Sequence, residues 1–200
     1  MNDFFRWALC AIIPYLLGSV SFGILLSRRQ GHDIRKEGSH NTGASNALRV
    51  VGVKTGLLTF LCDVMKAALA VLLGIWLKGQ YGGMLAGLVV IVGHNWPIFF
   101  QFQGGKGIAC SCAVLVLNFP IPGLIAIVLC LAVIALTRYI SLGSMVMLVS
   151  YCVILLFTMA IWPYGVWALL LTMIGIGRHH ANIQRLLRGQ ENKINFKKKG

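Results

Sequence analysis

Long apolar runs constrain this chain more than any motif does. The first extends from Phe4 to Leu26, with Arg6 near its outer end, and roughly 20 apolar residues suffice for one helical bilayer crossing. No A-x-A-like cleavage site follows it, so the segment reads as a retained helix. Further runs put spans at about 55–77, 81–100, 108–119, 121–137, 141–161 and 164–177, for seven in all. Hydrophobic residues make up 58% of the chain and charged residues 12%, with a mean hydropathy of +0.79. These values belong to an integral membrane protein, here all-α.

Breaks and cations set the expected topology. The segment 28–54 holds Arg28, Arg29, Arg35, Lys36, Arg49 and Lys54, the loop 101–107 holds Lys106, and the turn after the fifth span holds Arg138. Arg178, Arg185, Arg188, Lys193, Lys197, Lys198 and Lys199 lie in the tail. Seven spans place all of these on one face and leave Lys78 and Arg6 opposite. The positive-inside bias makes that face cytoplasmic, with the N-terminus outside and the C-terminus inside. Residues 108–137 decide the count. One long helix kinked at Pro120 and Pro122 would carry the basic tail outside, so two short helices joined by NFPIP are expected. The same bias accounts for the net charge of +13 without nucleic acid as a partner.

Six cysteines, at 10, 62, 110, 112, 130 and 152, all fall in apolar spans with no C-x-x-C pair and no Cys/His ligand spacing. They read as small buried hydrophobes, and no metal site is expected. Asp63 and Lys66 stand three apart in the second span, share a helix face and can pair there. His94 and Asn95 precede the Trp96-Pro97 pair, which reads as a helix end at the interface.

Three polar islands on the cytoplasmic face carry the functional argument. The first offers Gly38, Ser39, Asn41, Gly43, Ser45 and Asn46, with Arg49 able to grip a phosphate bidentately. The second is QGGKGIA, where Gly104, Gly105 and Gly107 surround Lys106 just ahead of a helix, a place where backbone amides attract an anion. It is not a Walker A loop, because Gly107 follows the lysine where Ser or Thr is required. The third, RHHANIQRLLRGQE, offers His179, His180, Asn182 and Glu191, and Arg138 with Ser141 and Ser144 adds a further group. As an ordinary solvated loop and a basic helix at the lipid headgroups, the first and third would need no ligand. Converging at one interface, the islands suit a substrate with a phosphate head and an acyl tail.

GSHNTGASNALR, GHNWPIFFQFQGGKGIA and RHHANIQRLLRGQENK resemble the three signature motifs of the PlsY family, bacterial membrane acyltransferases that use acyl phosphate and glycerol 3-phosphate. The resemblance runs in order along nearly the whole chain, as one domain over 1–200. It implies seven spans with an extracytoplasmic N-terminus and a site facing the cytoplasm, in the inner membrane. It also implies transfer of a fatty acyl group to the 1-hydroxyl of glycerol 3-phosphate, giving lysophosphatidic acid and phosphate, with no cofactor. Carried over by motif, Ser39, Arg49, Lys106, His179 and Asn182 would do the chemistry. Asn41, Gly43, Ser45, Asn46, Gly104, Gly105, Gly107 and Ser141 would bind substrate, and Asp63, Lys66, Arg138 and Glu191 would support the site. His40 stands where the family pattern has a glycine, and Ser45 where it has threonine.

Acyl phosphate is an activated anhydride, so direct attack by the acceptor hydroxyl needs orientation, charge neutralisation and a place for one proton. No H-x-x-x-x-D pair occurs: Glu37, Ser45, Phe99, Gln184 and Arg185 follow the histidines at that spacing. The proton is expected on a substrate phosphate oxygen, with His179 or Ser39 as alternatives, and a covalent route through Ser39 competes. A transporter of phosphorylated metabolites is the rival from another class, but no inverted repeat is visible. Acyl chain preference and oligomeric state are not written in the sequence.

Overall fold

The computed structural model describes residues 2–159 and 161–194, so the tail cations Lys197, Lys198 and Lys199 lie outside the described residues. Every regular element among the described residues is helical. Two compact units divide the chain, Met1–Asn118 and Phe119–Gly200.

The first unit begins with α1 (Asp3–Ser19) and α2 (Phe22–Arg28). The sequence suggests one unbroken span here, but Val20 and Ser21 are extended and split it. The break is matched by a long-range partner. Lys66 reaches across from the next long helix and donates to the carbonyls of Gly18 at 3.0 Å and Val20 at 2.6 Å, which an intact helix would have bonded to its own amides. After the irregular residues 29–43 comes a short α3 (Ala44–Val50) that hydropathy alone does not suggest.

The next helix, α4 (Val53–Asn95), is two arms joined at Lys78 and Gly79, which leave helical geometry. Gly79 has φ 60°, a left-handed value that glycine takes without penalty. The arms fold back on one another at small residues: a Cβ on Gly74 would lie 2.3 Å from the Gly82 carbonyl oxygen, and one on Gly82 2.1 Å from that of Gly74. Close backbone approach at glycines is how membrane helices gain packing without a hydrophobic drive. The spans read as 55–77 and 81–100 thus exist as the arms of this hairpin. The second arm ends at Asn95, with a 3-10 turn at Ile98–Phe100 beyond. Helix α1 lies against this arm, Tyr15 donating its hydroxyl to the Trp96 carbonyl at 3.0 Å and Ser19 Oγ accepting from the Ile98 amide at 3.3 Å. At the other end Lys78 pairs with Asp3 at 3.2 Å and sits over the Trp7 ring. The unit closes with α5 (Ile108–Asn118), whose 11 residues reach only about 16 Å.

The second unit contains α6 (Pro120–Thr137), α7 (Ile140–Thr158), α8 (Trp162–Arg178) and α9 (His180–Leu187). The chain leaves helical geometry at Phe119 and Pro120 opens α6, where its missing N–H is no loss. The expected division of 108–137 into two helices is therefore present, though α7 ends three residues short of the span read as 141–161. Among the described residues four segments are long and apolar enough to cross a bilayer: Asp3–Arg28, Val53–Phe100, Pro120–Thr137 and Ile140–Thr158. At 48 residues the second is about 72 Å of helix, twice a bilayer core, as its hairpin requires. Exposed Phe157, Leu136, Trp76 and Leu72 face outward as a lipid solvent demands.

Because nothing but glycine fits between the two arms, Gly74→Val should destabilise the protein by about 2–3 kcal/mol, seen as a lower midpoint of unfolding in detergent, whereas Gly177→Val, with nothing near its Cβ position, should shift it little.

Candidate functional site

The first polar island is folded on itself by its own side chains. Arg35 grips Asp33 with Nε at 2.9 Å and Nη2 at 2.8 Å, and these hydrogen bonds hold the carboxyl well below the usual carboxylate range. Glu37 accepts from the Asp33 amide at 3.1 Å and meets His32 Nδ1 at 3.0 Å. Buried Asn46, in the first turn of α3, accepts from the Ser39 amide at 2.8 Å and donates Nδ2 to the carbonyls of Ile34 and Glu37 at 2.8 and 3.0 Å. Its amide is committed to the loop, and Asn41 Oδ1 likewise holds the Gly43 amide at 2.9 Å. Ser39 is half-buried while Ser45 and Arg49 are exposed on or beside α3, so a hydroxyl and a guanidinium face outward from a rigid frame. His40 has φ 56°. That left-handed backbone accounts for a glycine in the family pattern, and here the histidine offsets part of the strain through Nδ1, 3.1 Å from the Arg35 carbonyl.

The same unit holds a buried ionic cluster. Lys66 Nζ is 2.8 Å from Asp63 Oδ1 and 3.1 Å from His94 Nδ1, and Cys110 donates Sγ–H to the Asp63 carbonyl at 3.4 Å. Asp63, His94 and Cys110 offer ligand atoms within 4.8 Å of one another, a set that could hold a metal ion. The Lys66 ammonium already supplies the cation among them, and an ammonium and a metal ion would repel at that range. The pairing of Asp63 with Lys66 is legible from their spacing; His94 and Cys110, far off in sequence, are not. The clue was the cost of an ionisable group at membrane depth, which requires partners from neighbouring helices.

The glycine-lysine loop rests on this cluster. Gly105 donates its amide to the His94 carbonyl at 3.1 Å, and a Cβ on Gly104 would lie 2.2 Å from that same oxygen. Asn95 is fully buried with both amide atoms unbonded to protein, and its Oδ1 would lie 3.1 Å from a Cβ on Gly107. Helix α5 starts at Ile108, directly after the loop, and the Gly107 carbonyl accepts from Ser111 amide and hydroxyl at 2.7 and 2.9 Å.

In the second unit Glu191 is the hub. One carboxylate oxygen accepts from Ser141 Oγ at 3.0 Å and Asn182 Nδ2 at 2.8 Å, and the other from Arg185 Nε at 2.8 Å. The tail also returns to the α6–α7 turn, the Ile194 amide donating to the Arg138 carbonyl at 2.8 Å and Lys193 lying over the Tyr139 ring. His179 is buried with Nδ1 2.7 Å from the Gly175 carbonyl. A carbonyl only accepts, so Nδ1 carries a proton.

These features define a class: an integral membrane protein, all-helical among the described residues, whose polar loops in each unit are tied down by buried or half-buried side chains. The sequence pattern of the family described as glycerol-3-phosphate acyltransferase matches residues 8–189. A glycerol-3-phosphate acyltransferase of Thermoanaerobacter pseudethanolicus is 42% identical over 190 residues, 94% of this chain and 96% of its own. One from Clostridioides difficile is 39% identical over 204 residues, covering 98% and 99%. The crystal structure of PlsY, an integral membrane glycerol 3-phosphate acyltransferase in its glycerol 3-phosphate form, superposes with a TM-score of 0.90 at 32% identity, covering 94% of this chain and 96% of that one. The form with lysophosphatidic acid gives 0.86. This chain belongs to the glycerol-3-phosphate acyltransferase family, and it is an acyltransferase rather than a transporter.

A non-glycine residue in left-handed backbone costs about 1–2 kcal/mol. His40→Gly should therefore raise stability by up to about 1 kcal/mol once the lost Nδ1 contact is set against the relief, measured as a higher unfolding midpoint with turnover unchanged.

Proposed function

We propose that the protein transfers a fatty acyl group from acyl phosphate to the 1-hydroxyl of glycerol 3-phosphate at the cytoplasmic face of the bacterial inner membrane, releasing lysophosphatidic acid and phosphate. The observation that carries this reading is the glycine-lysine loop laid over a buried cation at the start of a helix, an arrangement suited to a phosphate. Family membership and the glycerol 3-phosphate form of the structural relative support the acceptor. The donor is the one the resemblance to the PlsY motifs implies, and an anhydride donor is in keeping with a chain that lacks an H-x-x-x-x-D pair, since it needs less activation.

Seven spans with the N-terminus outside fit the element order, α4 contributing two. The Asp3–Lys78 pair supports the placement of the N-terminus beside the turn between the arms of α4. In this reading Arg49 and Lys106 neutralise substrate phosphates, and Ser39 and Asn182 orient the acceptor. Asn41 and Asn46 shape the first loop through their amides while Gly43 and Ser45 line it. Ser141 and Glu191 hold Asn182 in place, and Arg138 ties down the tail that carries Glu191.

The acceptor oxygen attacks the carbonyl carbon, the new ester bond forms, and the carbonyl–oxygen bond to phosphate breaks. The hydroxyl proton passes to an oxygen of the departing phosphate. Purified protein given acyl phosphate and glycerol 3-phosphate should form lysophosphatidic acid, and none should form from acyl-CoA. Arg49→Ala should cut turnover by about two orders of magnitude or more. His179→Ala should cost less than the roughly 100-fold loss that follows removal of a general base; a larger loss in a folded, substrate-binding variant would make His179 the base.

A further inference from the structure

We propose that His94 is a positioning residue for the glycine-lysine loop, locked by Lys66 and Asp63 so that its imidazole forms the surface on which the Gly105 backbone rests. The proposal builds on the reading of that loop as a phosphate site.

The geometry runs in a continuous line. Lys66 Nζ bonds the Gly18 and Val20 carbonyls, freed by the break between α1 and α2, at 3.0 and 2.6 Å. It also meets Asp63 Oδ1 at 2.8 Å and His94 Nδ1 at 3.1 Å. An ammonium has donors alone, so Nδ1 accepts and the imidazole proton stands on Nε2. The His94 Nδ1 to Asp63 Oδ1 separation of 3.5 Å is too long for a competing N–H bond. The opposite end of the ring meets the loop. A Cβ on Gly105 would lie 2.1 Å from Nε2, with Cδ2 and Cε1 at 3.0 and 3.1 Å. Such near-equal spacing of the two carbons places that Cβ close to the Nε2 axis, so the ring points end-on at Gly105. The backbone of His94 completes the hold, its carbonyl accepting the Gly105 amide at 3.1 Å.

A loop that binds a phosphate with its backbone depends on that backbone being fixed before the anion arrives. Here the fixing element is a side chain with two unlike neighbours, a buried ammonium at one nitrogen and a glycine at the other. Residue 105 must be small because position 94 is a histidine, and the histidine keeps its rotamer because Lys66 holds Nδ1. His94 makes no contact with the reacting atoms in this account, and its influence is on the affinity of the loop for phosphate.

Size exchange across the contact tests it. Gly105→Ala should raise the dissociation constant for glycerol 3-phosphate, measured by calorimetry on detergent-solubilised protein, at least about tenfold. His94→Asn keeps an acceptor where Nδ1 stood for Lys66 and removes the ring beyond it. Alone it should weaken binding about three- to tenfold, raising KM for glycerol 3-phosphate with kcat at saturation within about threefold of the parent. The double variant Gly105→Ala/His94→Asn should bind more tightly than Gly105→Ala does. Losses that simply multiply would overturn the proposal, as would Gly105→Ala binding like the parent. If Gly105→Ala fails to fold, recovery of folded protein in the double variant reads the same contact, and failure of both overturns it. Binding is measured without acyl transfer, so a parent protein that binds glycerol 3-phosphate and forms no lysophosphatidic acid would defeat the proposed reaction and leave this inference standing.

Discussion

The ammonium of Lys66, almost wholly buried in an apolar helical unit, is the constraint on which the rest of that unit depends. A charge there is tolerated only with its donors satisfied and its charge balanced: two carbonyls at the break in the first span and the ring at the end of the hairpin accept its hydrogen bonds, and the carboxylate one turn back on its own helix supplies the counter-charge. One side chain thereby joins segments that hydropathy would treat as independent cylinders. It explains why the first span is not straight, and why the end of the second arm of α4 is a fixed platform.

In the proposed function that platform is what makes a weak local motif fit for a phosphate. Glycines around a lysine attract an anion only loosely when the loop is mobile, because ordering the backbone costs about 1–2 kcal/mol per residue. Here the loop bonds to the His94 carbonyl and lies over backbone atoms at 104 and the His94 ring at 105 that leave room for nothing larger than glycine. The first island uses the same strategy with different chemistry, its asparagines and ion pairs holding the loop so that Ser45 and Arg49 are presented outward. In the second unit Glu191 does this for Asn182. In all three, buried or half-buried polar residues build the frame of the loop.

Much of this was legible in the sequence. Apolar runs located the helices because bilayer crossing sets their length, Pro120 marked a true division, and the Asp63–Lys66 spacing announced their pairing. The break at Val20–Ser21 was not legible, since its cause is a lysine more than forty residues away. Short α3 was hidden for a similar reason, because its apolar content is too small to signal a helix. Asn46 looked like a ligand group by composition, and its three hydrogen bonds within the loop could be seen only once the chain was folded. His94 looked like a helix end, and Cys110 like a small hydrophobe, because neither spacing places them beside Asp63. What sequence misses here is consistently the long-range partner of a buried polar group.

The central claim is that a pre-set loop at 104–107, backed by buried side chains, receives the phosphate of the acceptor. A structure of this protein with glycerol 3-phosphate bound tests it most directly. The account predicts the phosphate against the backbone of Gly104–Gly107 and the Lys106 ammonium, with the loop and the His94 ring unmoved from the arrangement described above. A phosphate bound elsewhere, or a loop that must rebuild to receive it, would contradict the account.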